Sequence, residues 1–512
     1  MPRQSKLTAA LVVFCLSGSA SAAVDSSATL FADGTVRTYT LHFYDAKWDS
    51  LMQADYASGA ETYRPARFSD GTLVLDTVGV RYKGNSSYAA AANSPKKPLK
   101  ISFGAFRTQT YFGEKTLNFS NCNGDPTMMR EKLSYDLIRA YDVAPRAGFA
   151  VVSVDSVQLG LYTQVEQVDK TFLKRWFTLA DSNLFKAGDD GSPLAYLGDS
   201  ASAYDTGGLY ELKTNEKADD WSGFVTFLKL LDKDSTPDAA FATRWPAFLD
   251  GDNVARHLAF DMVLSNFDSY IGSGRNFYLY QTSAAGAMRI IPWDLNLSFG
   301  AFTNGWNVYT LDPLSQTNLA SRPLCARVLG NDSLKTLYLG WIRRLIHERA
   351  STDSVQAAAT RLASVIRPFV GRDPNKFYDS AAFESNVESK YYLDARKTTS
   401  IPGLLEFSRT RNANLLAAIQ SVLGQDAVSS RAPIPSWSLV RSGSRWILSG
   451  PAGALAYSLH RLDGATLRTT SLPEFSGKAV LDLPSGISLL RLRGATTTRS
   501  ILVQNIPTEV NP

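Results

Sequence analysis

The order of two hydrophobic periods constrains this chain most. Strand-like runs crowd the first third of the stretch from Ser27 to Leu423, and helical spacing dominates its last third. Leu73–Tyr82 and Leu99–Phe103 read as strands. Phe149–Val154 and Leu159–Val165, separated by Asp155–Gln158, predict a hairpin. Asn276–Tyr280 and Met288–Ile291 flank the turn-rich Ser283–Gly286 and predict another. Met129, Leu133, Leu137 and Tyr141 recur every four residues, which is helical spacing. Phe172–Phe177, Phe224–Leu231, Val254–Leu264, Leu337–His347, Thr352–Phe369 and Gly403–Leu423 also read as helices. Strands first and helices later give an α+β order, not the βαβα alternation of a parallel sheet.

Composition shifts mark the ends. Met1–Lys6 carries Arg3 and Lys6 with no acid, Leu7–Leu16 is apolar, and the segment closes on Ala20-Ser21-Ala22. These are the three parts of a secretory signal peptide. An apolar run this short spans about half a bilayer core, so it does not read as a membrane anchor. The expected divisions are a leader at 1–22, a large domain at 23–423, a polar, proline-bearing linker at 424–436 and a strand-rich module at 437–512. In that module Trp437–Arg441, Arg445–Leu448, Leu455–Leu462, Ala479–Leu483, Ile487–Leu492 and Arg499–Gln504 predict a small all-β sandwich. No later segment is long and apolar enough to cross a membrane.

Removing residues 1–22 takes the formal charge from +5 to +3. No basic stripe stands out, so nucleic acid is a poor partner. Cys122 and Cys325 remain, with no Cys/His ligand cluster, which argues against structural zinc. An oxidising compartment permits a Cys122–Cys325 disulfide; two separately buried thiols is the favoured reading.

The chemistry concentrates in Asn266–Gly300. Asp268 follows a helix, Asn276 opens a hairpin and Asp294 follows its second strand. A hairpin returns the chain to its start, so the three converge at one end. Alone, each aspartate reads as a turn or cap residue. Together, two carboxylates and an amide suit a hard cation beside phosphate oxygens, because magnesium usually takes one or two carboxylates from a protein and keeps several waters. Protein kinases use such a set, with the Asn five residues after the Asp; here the interval is eight.

These blocks carry a specific resemblance. Asn266-Phe267-Asp268, Asn276-Phe277-Tyr278-Leu279-Tyr280 and Pro292-Trp293-Asp294-Leu295-Asn296-Leu297-Ser298-Phe299-Gly300 resemble the core signature of the spore coat protein H (CotH) kinase family. Arg81-Tyr82-Lys83-Gly84-Asn85-Ser86-Ser87 and the lysine-bearing Lys96–Phe103 resemble its earlier blocks, and Met129–Leu133 resembles a helix start. The matches run from about residue 35 to about residue 420. The resemblance implies an atypical, two-lobed, protein-kinase-like fold that binds ATP with Mg²⁺ or Mn²⁺. It implies Asp268 as the catalytic carboxylate, Asp294 as the metal ligand and Asn276 as its support. Asn296 departs from the family pattern, which often has a second acid there; it removes a charge from the metal site and makes an inactive relative more thinkable.

On the phosphate side, Arg81, Lys83, Lys97 and Lys100 lie on or near two strands, and Asn85, Ser86 and Ser87 form a turn after Gly84 that can approach phosphates. A solvated edge strand also carries lysines. Lys97 is the expected phosphate lysine, with Lys100 next. Glu166, between a strand and a helix, marks where a kinase-like hinge would meet adenine, or else a surface turn. In the last module, Tyr457–Thr466 and Leu483–Gly494 resemble sorting domains of type IX secretion; a spacer or carbohydrate-binding module fits equally.

Two functions follow from different classes. One is an exported kinase acting on Ser/Thr hydroxyls of a secreted, periplasmic or cell-surface protein. The other is a catalytically silent surface or adhesion protein, or an accessory module of polysaccharide-degrading machinery, on the same fold. The Asp268/Asn276/Asp294 set favours the first; Asn296 and the scarcity of ATP outside the cytoplasm favour the second. Export has its own check: N-terminal sequencing of mature protein is expected to begin at or near Ala23, and a retained Met1 would contradict it.

Overall fold

Alternating burial explains the first strands. Along β1 (Val36–Phe43) Tyr39, Leu41 and Phe43 are buried while Thr38 and His42 face out, and along β2 (Arg64–Ser69) Ala66 and Phe68 point in around exposed Arg67. With β3 (Val74–Tyr82), β4 (Leu99–Ser102), β5 (Thr116–Ser120), β6 (Ala147–Val154) and β7 (Val157–Glu166), they close a barrel in the order β1-β2-β3-β4-β5-β7-β6. All its pairings are antiparallel except β1 with β6, which runs parallel from Val36 opposite Phe149 to Leu41 opposite Val154. Closure removes the exposed edges that an open sheet would present. Tyr39, Phe68, Val80, Ile101 and Phe119 belong to the barrel's own apolar core.

This computed structural model describes residues 25–177, 179–282, 287–314 and 321–423, and seven strands between 438 and 505. Ser27–Ala432 forms one compact unit, and Pro433–Pro512 belongs to a second. The leader at 1–22, the linker at 424–436, Trp437 and the turn at 283–286 lie outside the described residues.

In the larger unit, α1 (Trp48–Ala57) follows β1, α2 (Ser86–Ala90) follows β3, α3 (Arg130–Arg139) follows β5 and α4 (Lys170–Trp176) follows β7. A second antiparallel sheet, in the order β11-β10-β8-β9, combines β8 (Leu184–Ala187), β9 (Tyr210–Leu212), β10 (Phe277–Gln281) and β11 (Met288–Pro292). The helices Gly251–Val263, Asp332–His347, Thr352–Arg372 and Leu404–Leu423 contribute Phe260, Ile342, Ile366 and Leu415 to a second, larger core. The expected α+β order therefore stands, and both predicted hairpins form. β1, β2, β5, β8, β9, α1 and α2 are not evident in the sequence pattern: Arg64, Pro65 and Arg67, for example, disguise β2 as a loop. Cys122 and Cys325 are both buried free thiols.

In the second unit, Ser438–Ser442, Arg445–Ser449 and Lys478–Leu481 form one sheet. Thr466–Phe475, Gly453–Arg461, Gly486–Gly494 and Thr498–Asn505 form another. Thr466–Phe475 escaped the sequence reading because Thr469, Thr470, Ser471 and Pro473 interrupt its apolar pattern.

One buried ion pair ties the barrel to the helices. Lys96 Nζ lies 2.7 Å from Asp373 Oδ2, and neither side chain has any exposure. Asp373, at the end of the helix Thr352–Arg372, also accepts hydrogen bonds from Leu161 N on β7 (2.9 Å) and Asn375 N (2.8 Å). Gly160 permits this approach, since a Cβ there would lie 2.6 Å from the Asp373 carboxylate. Asp373→Ala would leave a buried ammonium and a buried N–H without partners. The expected loss is about 3–5 kcal/mol of stability in urea unfolding, and a loss below about 1 kcal/mol would show that water reaches Lys96.

Candidate functional site

The loop after the helix Gly251–Val263 is held from beneath. Asn266 donates through Nδ2 to Asp261 Oδ1 and through its backbone N–H to Asp261 O, each at 2.8 Å, and Ser269 Oγ donates to Asn266 O at 2.6 Å. Burial raises the Asp261 carboxyl to about 7. Asp268 rides on this loop, with Ser273 Oγ donating to its Oδ1 at 2.7 Å.

Asn276 links the two aspartates. Its Nδ2 donates to Asp268 O at 2.8 Å, and its own carbonyl accepts from Trp293 N, next to Asp294, at 3.0 Å. Asn276 (φ +60°) and Asp294 (φ +50°) both occupy the left-handed region, which Asn and Asp tolerate better than other side chains. Such strain persists only where the surroundings over-determine it. The convergence expected of Asp268, Asn276 and Asp294 is thus made by hydrogen bonds across the mouth of the β10–β11 hairpin. Asp294 is partly buried, its N–H donates to Tyr135 Oη at 3.0 Å, and its Oδ1 is enclosed with no hydrogen-bond partner among the described residues.

These residues line a cleft of about 600 Å³. The barrel contributes Arg81, Lys83, Lys100 and the turn Gly84–Ser87. Arg81 pairs in register with Lys100 across β3 and β4, and Lys83 Nζ lies 5.7 Å above the Trp293 ring. Gly84 has φ +80°, and a Cβ there would meet Ser87 Oγ at 2.5 Å, so this turn requires glycine. Asn85, Ser86 and Ser87 thereby reach the cleft beside the cations.

Two expected residues do not. Lys97 is buried away from the cleft lining: its Nζ donates to the carbonyls of Ala91 (3.1 Å), Ala92 (3.4 Å) and Ser94 (3.0 Å). A lysine before the strand can fold back onto its own turn, whereas strand alternation turns Lys100 out of the barrel core. Glu166 is also diverted. Its carboxylate pairs with Arg146 (2.9 Å) and Arg175 (2.5 Å), and its backbone N–H donates to Arg146 O, so Gln167 lines the cleft instead.

Glu131 lies inside the Met129–Leu133 block, which by itself assigns it no role. It lies in the first turn of α3, buried, and its Oε2 has no hydrogen-bond partner among the described residues. An acid there ordinarily reads as a helix-dipole partner, so the sequence held no distinguishing signal. Lys186, Lys213, Arg275 and Asp189 also line the cleft.

Like charges crowd locally in the cleft, although Arg81 is paired with Glu61 at 2.5 Å. Burial first, then Asp294, raises the Glu131 carboxyl; burial first raises that of Asp294, against the pull of Lys83 and Lys186 and with Asp268 and Asp189 adding to the rise. Burial first, then Arg81, lowers Lys100 to about 7, with Glu61 opposing. Crowded carboxylates gain from a cation, and crowded cations from an anion. Orphaned Asp294 Oδ1 and the Asn276 amide oxygen fit a hard cation. Among the described residues no three His, Cys, Asp or Glu side chains form an all-protein metal cage, and magnesium beside phosphates does not require one. No described helix is long and apolar enough to cross a membrane.

The family described as CotH kinase protein matches residues 80–415. The chain is also 27% identical over 312 residues to the inner spore coat protein H of Bacillus subtilis (strain 168), covering 60% of this chain and 81% of that protein.

Lys100 has a pH signature. Folding lowers its affinity for a proton, so the folded state binds fewer protons than the unfolded state between about 7 and lysine's ordinary 10.5. Its contribution to stability therefore rises with pH across that window. Lys100→Met removes this term, so the variant should be most favoured over wild type near pH 6, with that relative advantage clearly smaller at pH 9. Urea unfolding at both pH values checks it; a pH-independent difference would contradict it.

Proposed function

Because the chain belongs to the CotH kinase protein family, we propose that it is an exported atypical kinase transferring the γ-phosphoryl group of ATP to serine or threonine hydroxyls of a secreted or surface protein. One observation carries this reading: a single cleft brings the Asp268/Asn276/Asp294 set opposite Arg81, Lys83 and Lys100. The barrel and the helical part would be the two lobes of a kinase-like fold.

Asp294, supported by Asn276, would hold Mg²⁺ or Mn²⁺, with the buried Glu131 carboxyl behind it. Bound metal would neutralise charge on the phosphate oxygens. Arg81, Lys83 and Lys100 would hold the phosphates, with backbone N–H groups and hydroxyls from Asn85, Ser86 and Ser87. Lys97 and Glu166 are left out of these roles. Asp268 would orient the acceptor hydroxyl and take its proton as the new O–P bond forms and the bond to the leaving ADP breaks.

The leader-like residues 1–22 support export, and a relative named as an inner spore coat protein supports placement in an outer layer. The strands after residue 437 would form a small β-sandwich for sorting or polysaccharide contact. Asn296, which lines the cleft, favours a second reading, a catalytically silent relative.

Two substitutions test the roles. Asp294→Ala should weaken Mg-ATP binding and abolish turnover. Asp268→Asn should leave binding largely intact and lower turnover by about 10²–10⁴-fold. Calorimetry with Mg-ATP and a phosphorylation assay on the same proteins decide it. Equal loss of binding in both would place both carboxylates on the metal, and absence of ATP binding by wild type would favour the silent reading.

A further inference from the structure

The register across the barrel carries a chemical gradient. Arg81 lies opposite Lys100, and Lys100 lies opposite Asn118 on β5, so one rung runs cation, cation, amide. All three line the cleft, followed at the β7–α4 connection by Gln167. The Glu166 side chain is turned into Arg146 and Arg175, leaving amides at this end of the rung. An uncharged hydrogen-bonding group belongs there, while phosphates belong beside Arg81 and Lys100.

The orientation of these amides is set by backbone groups that can only accept. Gln167 Nε2 donates to Val168 O at 3.1 Å, which turns Gln167 Oε1 toward Asn118. Asn118 Nδ2 then donates to Gln167 Oε1 at 3.1 Å and makes a longer contact, 3.5 Å, to Val165 O. Both hydrogens of that amide nitrogen are thereby directed at acceptors. Flipping Asn118 would set its oxygen against two other oxygens. Asn118 Oδ1 is left as an acceptor with no hydrogen bond from the described residues. The residue is only 1% exposed, so its polar atoms have little access to bulk water.

We propose that Asn118 is a base-reading residue: its Oδ1 accepts a hydrogen bond from the exocyclic amino group of the nucleotide base, held in that sense by Gln167 and the Val168 carbonyl. The inference rests on the nucleotide reading above and adds a selectivity to it. The site prefers a 6-aminopurine over a 6-oxopurine, whose carbonyl would face the Asn118 oxygen with no proton between them. A buried site built to accept one hydrogen bond discriminates strongly against a ligand that cannot donate it.

Calorimetry of the mature full-length protein with Mg-ATP, Mg-ITP and Mg-GTP tests this. ITP isolates the 6-position because it lacks the 2-amino group of GTP. Wild type should bind ATP at least about tenfold more tightly than ITP. Asn118→Leu should weaken ATP, leave ITP little changed and bring the two within about threefold. Gln167→Met removes one of the two acceptors that orient the amide, so it should narrow the preference with less disturbance of β5. Thermal melting establishes that each variant is folded. Equal binding of ATP and ITP by wild type overturns the inference while leaving the nucleotide reading intact. Retention of the full preference by both folded variants does the same. Failure of wild type to bind any of the three nucleotides overturns the nucleotide reading itself.

Discussion

The pair Lys96–Asp373 holds the barrel wall against the end of a helix more than 270 residues further along the chain, with neither side chain exposed. Buried pairs of this kind contribute little net stability compared with apolar packing, but breaking one is costly. That asymmetry fixes geometry. The Lys96 carbonyl also accepts from Asn121 Nδ2 at 3.0 Å, and the same amide donates to Ser87 O at 3.2 Å. The cleft turn is therefore tethered, through one amide, to the residue that anchors the barrel to the helices.

The cleft gathers acids and bases in one place, and only some of them are paired: Arg81 meets Glu61 at 2.5 Å and Lys213 meets Glu211, while Asp294 Oδ1 and Glu131 Oε2 have no hydrogen-bond partner among the described residues. Burial and the nearby Asp294 raise the proton affinity of Glu131, while burial, Arg81 and Lys83 depress that of Lys100. Elsewhere the same chain pairs buried charge closely: Asp142 is surrounded by Arg256, Arg289 and His257, and Glu166 by Arg146 and Arg175. The contrast distinguishes residues committed to architecture from residues arranged for a ligand. Asn276 and Asp294 both occupy the left-handed region at the mouth of the hairpin that meets the cleft.

The hairpin around Asp294 was legible because its information is local: strand-length apolar runs, turn residues between them and polar residues at the mouth. The same holds for Gly84 and the turn after it. The choice among lysines was not legible. Lys96, Lys97 and Lys100 lie within five positions of one another, yet they form an ion pair, a turn cap and a cleft wall respectively. Glu131 and Glu166 show the same limit, because what each carboxylate does depends on residues distant in the chain.

By itself, the sequence determined the strands-first order, the placement of Asp268, Asn276 and Asp294 around one hairpin, and a turn that only glycine can begin. Each of these follows from near-neighbour sterics and periodicity. Tertiary structure alone decided that the barrel closes through a parallel pairing of β1 with β6, that Lys100 and not Lys97 faces the cleft, that Gln167 replaces Glu166 there, and that Glu131 lies close to Asp294. The physical reason is burial. A charged side chain removed from water must find a partner, and which partner it finds is settled only when distant segments pack together.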